Sequence, residues 1–308
     1  MSMGLWRTAV AWALIAPFLM WTVLRLSGID AGFRWIQLVS FTPYVAGAAF
    51  AVPVVALLLR RRGAAAAGLA VAVVLGALVL PRMLGEGQPP AKGPVLRVLS
   101  ANVRFGLTPP DRVLALVRDL RIDVLSIQEL PPEARRVLEE KGLLELLPHT
   151  ANGTHDTTLY SRHPFQTAPA PAGAVRAAMD VPGADGPVEF VAVHTCAPLR
   201  PGLDRCWRAG QTELPEATPE GTPRILAGDF NATLDHASLR ETLSTGYRDA
   251  AEVRGAGLRP TWPADGWSTP GIVIDHVFAD RRISVLDYSV HGLPGSDHRA
   301  VYAELRLP

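Results

Sequence analysis

The 308-residue chain has only two cysteines, Cys196 and Cys206, which leaves room for one disulfide at most. Acidic residues are scarce at one end only, where Asp30 and Glu86 are the two that precede residue 94. Eight Lys and Arg stand against them, a net +6, whereas residues 94–308 hold 22 Lys and Arg against 27 Asp and Glu, a net −5. A domain that grips nucleic acid through its phosphates is usually basic, because counterion release supplies most of that affinity. The C-terminal part is mildly acidic, so composition does not favour a nucleic-acid partner. Beyond an Ala-rich stretch and short Pro/Gly-rich loops, no repeat or low-complexity tract is present.

What is abundant is apolar sequence, 48% overall, and it is concentrated in residues 1–84. Three apolar stretches lie there, at 9–24, 35–59 and 64–80. A membrane span needs about 20 largely apolar residues, with about 17 as the lower end. A cleaved signal peptide explains one such stretch, not three. The pattern predicts three transmembrane helices, a multi-pass anchor in the lipid bilayer of the cell membrane. Trp6, Trp21 and Trp35 fall where interfacial aromatics are expected. Arg60-Arg61-Arg62 join the second and third stretches and Arg7 precedes the first. Placing both on the cytoplasmic side puts the C-terminal domain outside the cytoplasm. Arg25, Arg34, Arg82 and Lys92 reduce that asymmetry. In an oxidising compartment Cys196 and Cys206 are expected to bridge, stiffening the loop after His194 by about 2–3 kcal/mol.

Residues 85–94, Gly-Glu-Gly-Gln-Pro-Pro-Ala-Lys-Gly-Pro, lack apolar periodicity and read as a linker between the anchor, 1–84, and a domain at 95–308. That domain alternates buried-strand and helix patterns. Strands are predicted at 95–101, 123–128, 157–161, 175–181, 188–194, 224–229, 272–279, 283–290 and 300–305. Helices are predicted after Thr108, taken as a cap followed by Pro109-Pro110, at 133–147 and within 234–244. Many strands with few helices predict two packed sheets with helices on their outer faces.

Six strand ends carry chemistry. Asn102 follows Val98-Leu99-Ser100-Ala101, Glu129 follows Val124-Leu125-Ser126-Ile127-Gln128, and His194 follows Phe190-Val191-Ala192-Val193. Gly228-Asp229-Phe230-Asn231 ends another apolar run, Asp275-His276 follows Ile272-Val273-Ile274, and Ser296-Asp297-His298 precedes Arg299-Ala300-Val301-Tyr302. Phosphoester hydrolysis needs a Lewis acid, an activated water and donors for developing charge. Hard cations such as Mg²⁺ take carboxylate and amide oxygens. Glu129 is the first candidate ligand, with Asn102 and Asp297 next. Asp229 is placed to orient or deprotonate water and Asn231 to hold a phosphate oxygen. Asp275 and His298 read as a dyad, with His194 as a second phosphate donor. His276 reads as structural, and His149, His155, His163, His236 and His291 receive no role.

In order, strand-Asn, Gln-Glu, Tyr160-Ser161-Arg162, strand-His-Thr, Gly-Asp-Phe-Asn, Ile-Asp-His and Ser-Asp-His resemble the endonuclease/exonuclease/phosphatase superfamily over about residues 95–307. The resemblance implies a four-layered α/β sandwich, two packed mixed sheets flanked by helices, with a Mg²⁺-dependent phosphohydrolase site at one end of the sheets and Mn²⁺ as the alternative ion. It carries Asn102, Glu129 and Asp297 onto metal positions, Asp229 and Asn231 onto the water and phosphate pair, and His194, His298 and Asp275 onto the histidines and their partner. The apolar helices and Thr261-Trp262-Pro263 are similar to a membrane-anchored branch that includes teicoplanin-resistance type proteins. That likeness implies an enzyme outside the cytoplasm acting on phosphate or diphosphate groups, with a lipid carrier such as undecaprenyl diphosphate as substrate. A surface nuclease and a phospholipid phosphodiesterase are the alternatives.

Overall fold

The structure is a computed structural model that describes residues 3–264 and 269–308. Its N-terminal part is helical throughout: α1 (Met3–Leu26), α2 (Phe33–Val39), α3 (Thr42–Ala49), α4 (Ala51–Leu58) and α5 (Arg62–Val79), the last running into a 3-10 turn at Leu80–Met83. Gly4–Leu26 and Arg62–Met83 are each long and apolar enough to cross a membrane. The middle stretch departs from the expected single helix. It is a pair, Phe33–Val39 and Thr42–Leu58, bent by 62°. Pro43 explains the break, since it has no N–H to give and restricts the residue before it. The Thr42 hydroxyl instead donates to the Val39 carbonyl at 2.6 Å. The predicted count of three spans thus becomes two straight helices, or three if the bent pair is one span.

Among the described residues the rest of the chain supplies twelve strands. β1 (Val95–Asn102), β2 (Val124–Gln128), β3 (His149–Asn152) and β4 (Thr158–Ser161) come first. β5 (Phe165–Ala168), β6 (Ala174–Met179), β7 (Val188–His194), β8 (Arg224–Asp229) and β9 (Tyr247–Asp249) follow. β10 (Asp275–Asp280), β11 (Ser284–Gly292) and β12 (Arg299–Arg306) close the domain. Helices α6 (Pro110–Asp119), α7 (Pro132–Glu140), α8 (Leu143–Leu146), α9 (Leu203–Thr212), α10 (Ala237–Ser244) and α11 (Ala250–Val253) lie between them.

Two six-stranded sheets result, ordered β11-β12-β1-β2-β4-β3 and β5-β6-β7-β8-β10-β9. Each is mixed, with one parallel pair at its centre, β1 with β2 and β7 with β8. Val98, Phe190, Ile225, Val277 and Val301 belong to the core between the sheets. Val113, Val117 and Leu138 of α6 and α7 cover the outer face of the first sheet, and Trp207 and Leu239 of α9 and α10 that of the second. This is the expected four-layered sandwich.

Several expectations are corrected in detail. The helix predicted at 133–147 is two helices, because Gly142 adopts φ 100 and ends the run. Thr108 does not cap α6. Pro109 occupies that position, and the Thr108 hydroxyl is buried without a hydrogen-bond partner among the described residues. The strand predicted at 272–279 starts at Asp275, and Ile272 makes only an isolated bridge to Trp262. Residues 85–94 carry no regular element yet run along the domain: Glu86 N donates to Val253 O, Gly93 N to Leu307 O, and Gln88 Oε1 accepts from Val285 N.

Candidate active site

Strand register assembles the site. β7 and β8 pair His194 with Asp229, and β8 and β10 pair Asp229 with Asp275, so three of the predicted residues lie abreast at one end of the second sheet. On the first sheet, β1 and β2 set Asn102 beside Gln128, one residue before Glu129. The segment 296–298 leads into β12, which pairs with β1, and the Ser296 hydroxyl donates to the Asn102 carbonyl at 2.7 Å. The glycine of Gly228-Asp229 is required by packing, since a Cβ there would stand 1.9 Å from Val193 O. Glu129 and Asn231 both sit in the left-handed region, with φ 55 and 46. A glutamate there costs on the order of 1 kcal/mol, strain of the kind that collects at functional sites.

Asp229 is the hub. Its Oδ2 accepts from Asn102 Nδ2 at 3.0 Å and lies 3.7 Å from His298 Nε2, while its Oδ1 accepts from Asn231 N at 2.8 Å. Asn102 Nδ2 also donates to Glu129 Oε1 at 2.9 Å, and Arg104 N donates to Asn102 Oδ1 at 3.0 Å. His298 Nδ1 donates to Asp275 Oδ2 at 3.0 Å, the predicted dyad. Asn102, Asp229, Asp275 and His298 are buried, whereas Glu129, Asn231, His194 and Asp297 are half-buried and form the open side.

Charge follows from this geometry. Burial pushes the Asp229 carboxyl up, and the Asp275 charge adds to that against the pull of His298 and His194. Burial alone would lower His298, but the charges of Asp275 and Asp229 overcome it and push the imidazole up to about 10. His298 is therefore an imidazolium held between two carboxylates, a donor rather than a base.

The remaining predicted residues are placed as follows. His194 Nε2 lies 3.8 Å from Glu129 Oε1, and its Nδ1 faces the His155 carbonyl at 3.3 Å. Asn231 spends one amide hydrogen on the Thr195 carbonyl at 3.0 Å. Asp297 Oδ2 accepts from Trp262 Nε1 at 3.1 Å, and its Oδ1 lies 3.6 Å from Arg104 Nε. The tightest group of acids and histidine is thus Asp229, Asp275 and His298, whose ligand atoms lie within 4.8 Å of one another. Thr261 holds the other side together: its hydroxyl accepts from Ile274 N and Asp275 N, and its carbonyl from Arg299 N. His276 is structural as read, buried between Asp249 Oδ2 at 2.6 Å and the Ala232 carbonyl at 3.0 Å.

Cys196 and Cys206 form the expected disulfide, with Cα atoms 5.8 Å apart. It ties the end of β7 to α9, whose Trp207 Nε1 donates to the Asn231 carbonyl at 2.8 Å. Replacing both cysteines by serine is expected to lower unfolding stability by about 2–3 kcal/mol. Melting in detergent with and without a thiol reductant checks this: reductant should destabilise the wild type and leave the double variant unchanged.

Sequence reading missed the mounting of the site on the N-terminal helices. Asp235, four residues past Asn231, accepts from Arg25 Nε at 3.0 Å and from Arg82 Nη1 and Nη2 at 2.8 and 2.7 Å. Asp30 caps α10, accepting from Ala237 N at 3.0 Å and Ser238 N at 2.7 Å. His236, which received no role, is a buried strut: Thr233 N donates to its Nδ1 and its Nε2 donates to the Ile36 carbonyl at 2.8 Å. Burial pushes this imidazole below its ordinary value, in keeping with a neutral ring. Gln37 Nε2 donates to the Pro198 carbonyl, four residues past His194, at 2.9 Å.

Residues 99–298 match the Endonuclease/Exonuclease/phosphatase family. The chain belongs to this family. Like the family as a whole it is a metal-dependent hydrolase acting on phosphate ester bonds. Solved structures agree in fold. An endonuclease/exonuclease/phosphatase from Beutenbergia cavernae DSM 12333 is 21% identical, with 70% of this chain and 72% of that one covered and a TM-score of 0.52. A D. rerio TDP2 humanized by 14 mutations is 17% identical, with coverage of 68% and 98% and a TM-score of 0.55. A 3′ phosphatase, NExo, from Neisseria, bound to a product DNA hairpin, is 18% identical, with the same coverage and a TM-score of 0.51. No curated protein matches the chain. The endonuclease/exonuclease/phosphatase site fits a divalent metal through its oxygens, the Glu129 and Asp229 carboxylates that converge at the Asn102 amide with Asp297 on the open side, the ligand type that hard cations prefer.

Proposed function

We propose that this enzyme is a membrane-anchored phosphohydrolase acting outside the cytoplasm on the phosphate or diphosphate of a lipid carrier such as undecaprenyl diphosphate. The observation that carries this reading is the seating of the site's own loops on the apolar helices. The loop after Asn231 is gripped by Arg25, Asp30, Ile36 and Arg82, and the loop after His194 by Gln37. Phe105, Leu107 and Leu199, in loops that follow Asn102 and His194, are largely exposed apolar residues of the kind that meet lipid. The disulfide favours an oxidising compartment. The likeness to teicoplanin-resistance type proteins points the same way.

In this reading Glu129, Asn102 and Asp297, with Asp229 beside them, would hold the ion, Mg²⁺ or Mn²⁺. When bound, the metal supplies a Lewis acid for the phosphoryl oxygen. Asp229, with its carboxyl pushed up by burial, takes a proton from the attacking water. His298, oriented by Asp275, donates to the oxygen on which negative charge grows, and His194 and Asn231 hold the other phosphate oxygens. Water adds to phosphorus as the ester or anhydride P–O bond breaks. A nuclease would use the same groups, and the similar NExo structure is bound to a product DNA hairpin. The test is full-length protein in detergent with Mg²⁺, offered undecaprenyl diphosphate and plasmid DNA in parallel. Chelator-sensitive phosphate release with intact plasmid supports the lipid reading; nicking without lipid turnover replaces it with a surface nuclease.

A further inference from the structure

A second concentration of charge lies away from the catalytic carboxylates, where the ends of α1 and α5 meet α10. Arg25, Arg82 and Arg240 line one cavity of about 410 Å³ there, together with Leu26, Leu78 and Leu243. Arg25 and Arg82 share one carboxylate, Asp235. Arg240 has no carboxylate within ion-pair distance among the described residues. Its Nη1 donates to two carbonyls, Asp235 O at 2.6 Å and Leu234 O at 3.4 Å. Burial first, and then the neighbouring Arg25 charge, pushes Arg240 down to about 10, so it remains a cation. The acid that lines the cavity is Glu252, which lies 3.7 Å from Arg82 and is pushed up to about 7 by burial and by Asp249. Three guanidiniums thus line the cavity with Glu252 as the acid among them, while Asp235 holds Arg25 and Arg82 from behind and Asp30 acts on Arg25 and Arg240; the lining itself carries more positive than negative charge, beside apolar walls.

We propose that this cavity binds the phosphate headgroup of an anionic membrane lipid, with the acyl chains running along the α1–α5 seam past Leu26 and Leu78. The assignment rests on the membrane-anchored reading above. Guanidinium forks match phosphate oxygens in pairs, and basic pockets between membrane helices suit anionic headgroups. The apolar half of the lining is what separates a lipid from a free phosphate ion. The site is distinct from the catalytic one but touches it through Leu234 and Asp235, which the same arginines hold.

The test uses the full chain in nanodiscs of phosphatidylcholine with and without phosphatidylglycerol, with retained lipid counted by native mass spectrometry. The wild type should retain phosphatidylglycerol selectively, and Arg240→Gln should weaken retention about tenfold, the usual size of one lost charged hydrogen bond. Arg240→Lys should retain most of it, and Leu78→Trp, which fills the cavity from the helix side, should abolish it without removing any charge. Equal retention of both lipids, no effect of Arg240→Gln and Leu78→Trp, or displacement of the lipid by equimolar inorganic phosphate would each overturn the proposal. Release of the protein from membranes by a carbonate wash would defeat the underlying membrane reading, whereas a protein that stays embedded but shows no lipid preference defeats this inference alone.

Discussion

Asp229→Asn is expected to lower the turnover of phosphate-ester hydrolysis by about 10³-fold, with a fall in the melting midpoint no larger than the loss of the one hydrogen bond from Asn102 Nδ2 requires. The substitution keeps the Oδ1 that accepts from Asn231 N and keeps the side-chain volume. It removes the charge that faces His298 at 3.7 Å and the carboxylate that receives the water proton. General-base catalysis contributes about 10²–10⁴-fold, so the loss should fall near the middle of that range. His298→Ala should cost a similar factor, and the double variant little more, because groups that act on one transition state are not additive. Steady-state rates on one substrate for the three variants check this. Activity within tenfold of wild type for Asp229→Asn would remove Asp229 from its assigned role.

The second large effect is expected at Asp235, which never touches the substrate in this account. Its side chain is fully buried between Arg25 and Arg82, whose side chains are 4% and 6% exposed. Asp235→Ala leaves two buried guanidiniums without their carboxylate, a change that costs about 3–5 kcal/mol when a buried pair is broken from one side. Replacing all three residues by apolar ones of similar volume should recover most of the stability. Burial alone would raise the Asp235 carboxyl, but Arg82 and Arg25 hold it below the ordinary 3.8. A depressed carboxyl stabilises fully above that value, and the contribution is lost as pH falls below it. Melting in detergent between about pH 5 and pH 2 should therefore show a steeper acid loss in the wild type than in the apolar triple variant, with the loss from Glu189, held low by Arg176 and Arg224, common to both.

The strand ends were legible because each active residue terminates an apolar run long enough to be a buried strand, as with Ile225-Leu226-Ala227 before Gly228-Asp229. Ordered spacing did the rest, since register alone sets His194, Asp229 and Asp275 abreast. The short strands β3, β5 and β9 escaped notice: with three or four residues each, they have too little alternation to stand out. Helix α9 lies within the cysteine-bearing stretch that reads as a loop, although Trp207 and Gln211 sit at helical spacing and are buried. The coupling of the site to the N-terminal helices was illegible for a different reason. Arg25 and Asp235 are 210 residues apart, and no local pattern marks their meeting. One signal was available. Arg25 and Arg82 blur the charge asymmetry expected of a membrane anchor, and misplaced arginines at the ends of apolar helices call for a buried acid.

In the proposed function the phosphate site works at a bilayer surface because its loops are mounted on the apolar helices. The most direct test compares one diphosphate headgroup presented in two ways to the full-length enzyme in nanodiscs: on a long chain embedded in the same bilayer, and on a short chain free in solution. The expected kcat/KM is higher by at least about tenfold for the embedded substrate, since two methylenes buried at about 0.8 kcal/mol each already supply that factor. Equal kcat/KM for the two, with both reactions abolished by Asp229→Asn, would contradict it and leave a phosphohydrolase whose anchor serves only to hold it in place.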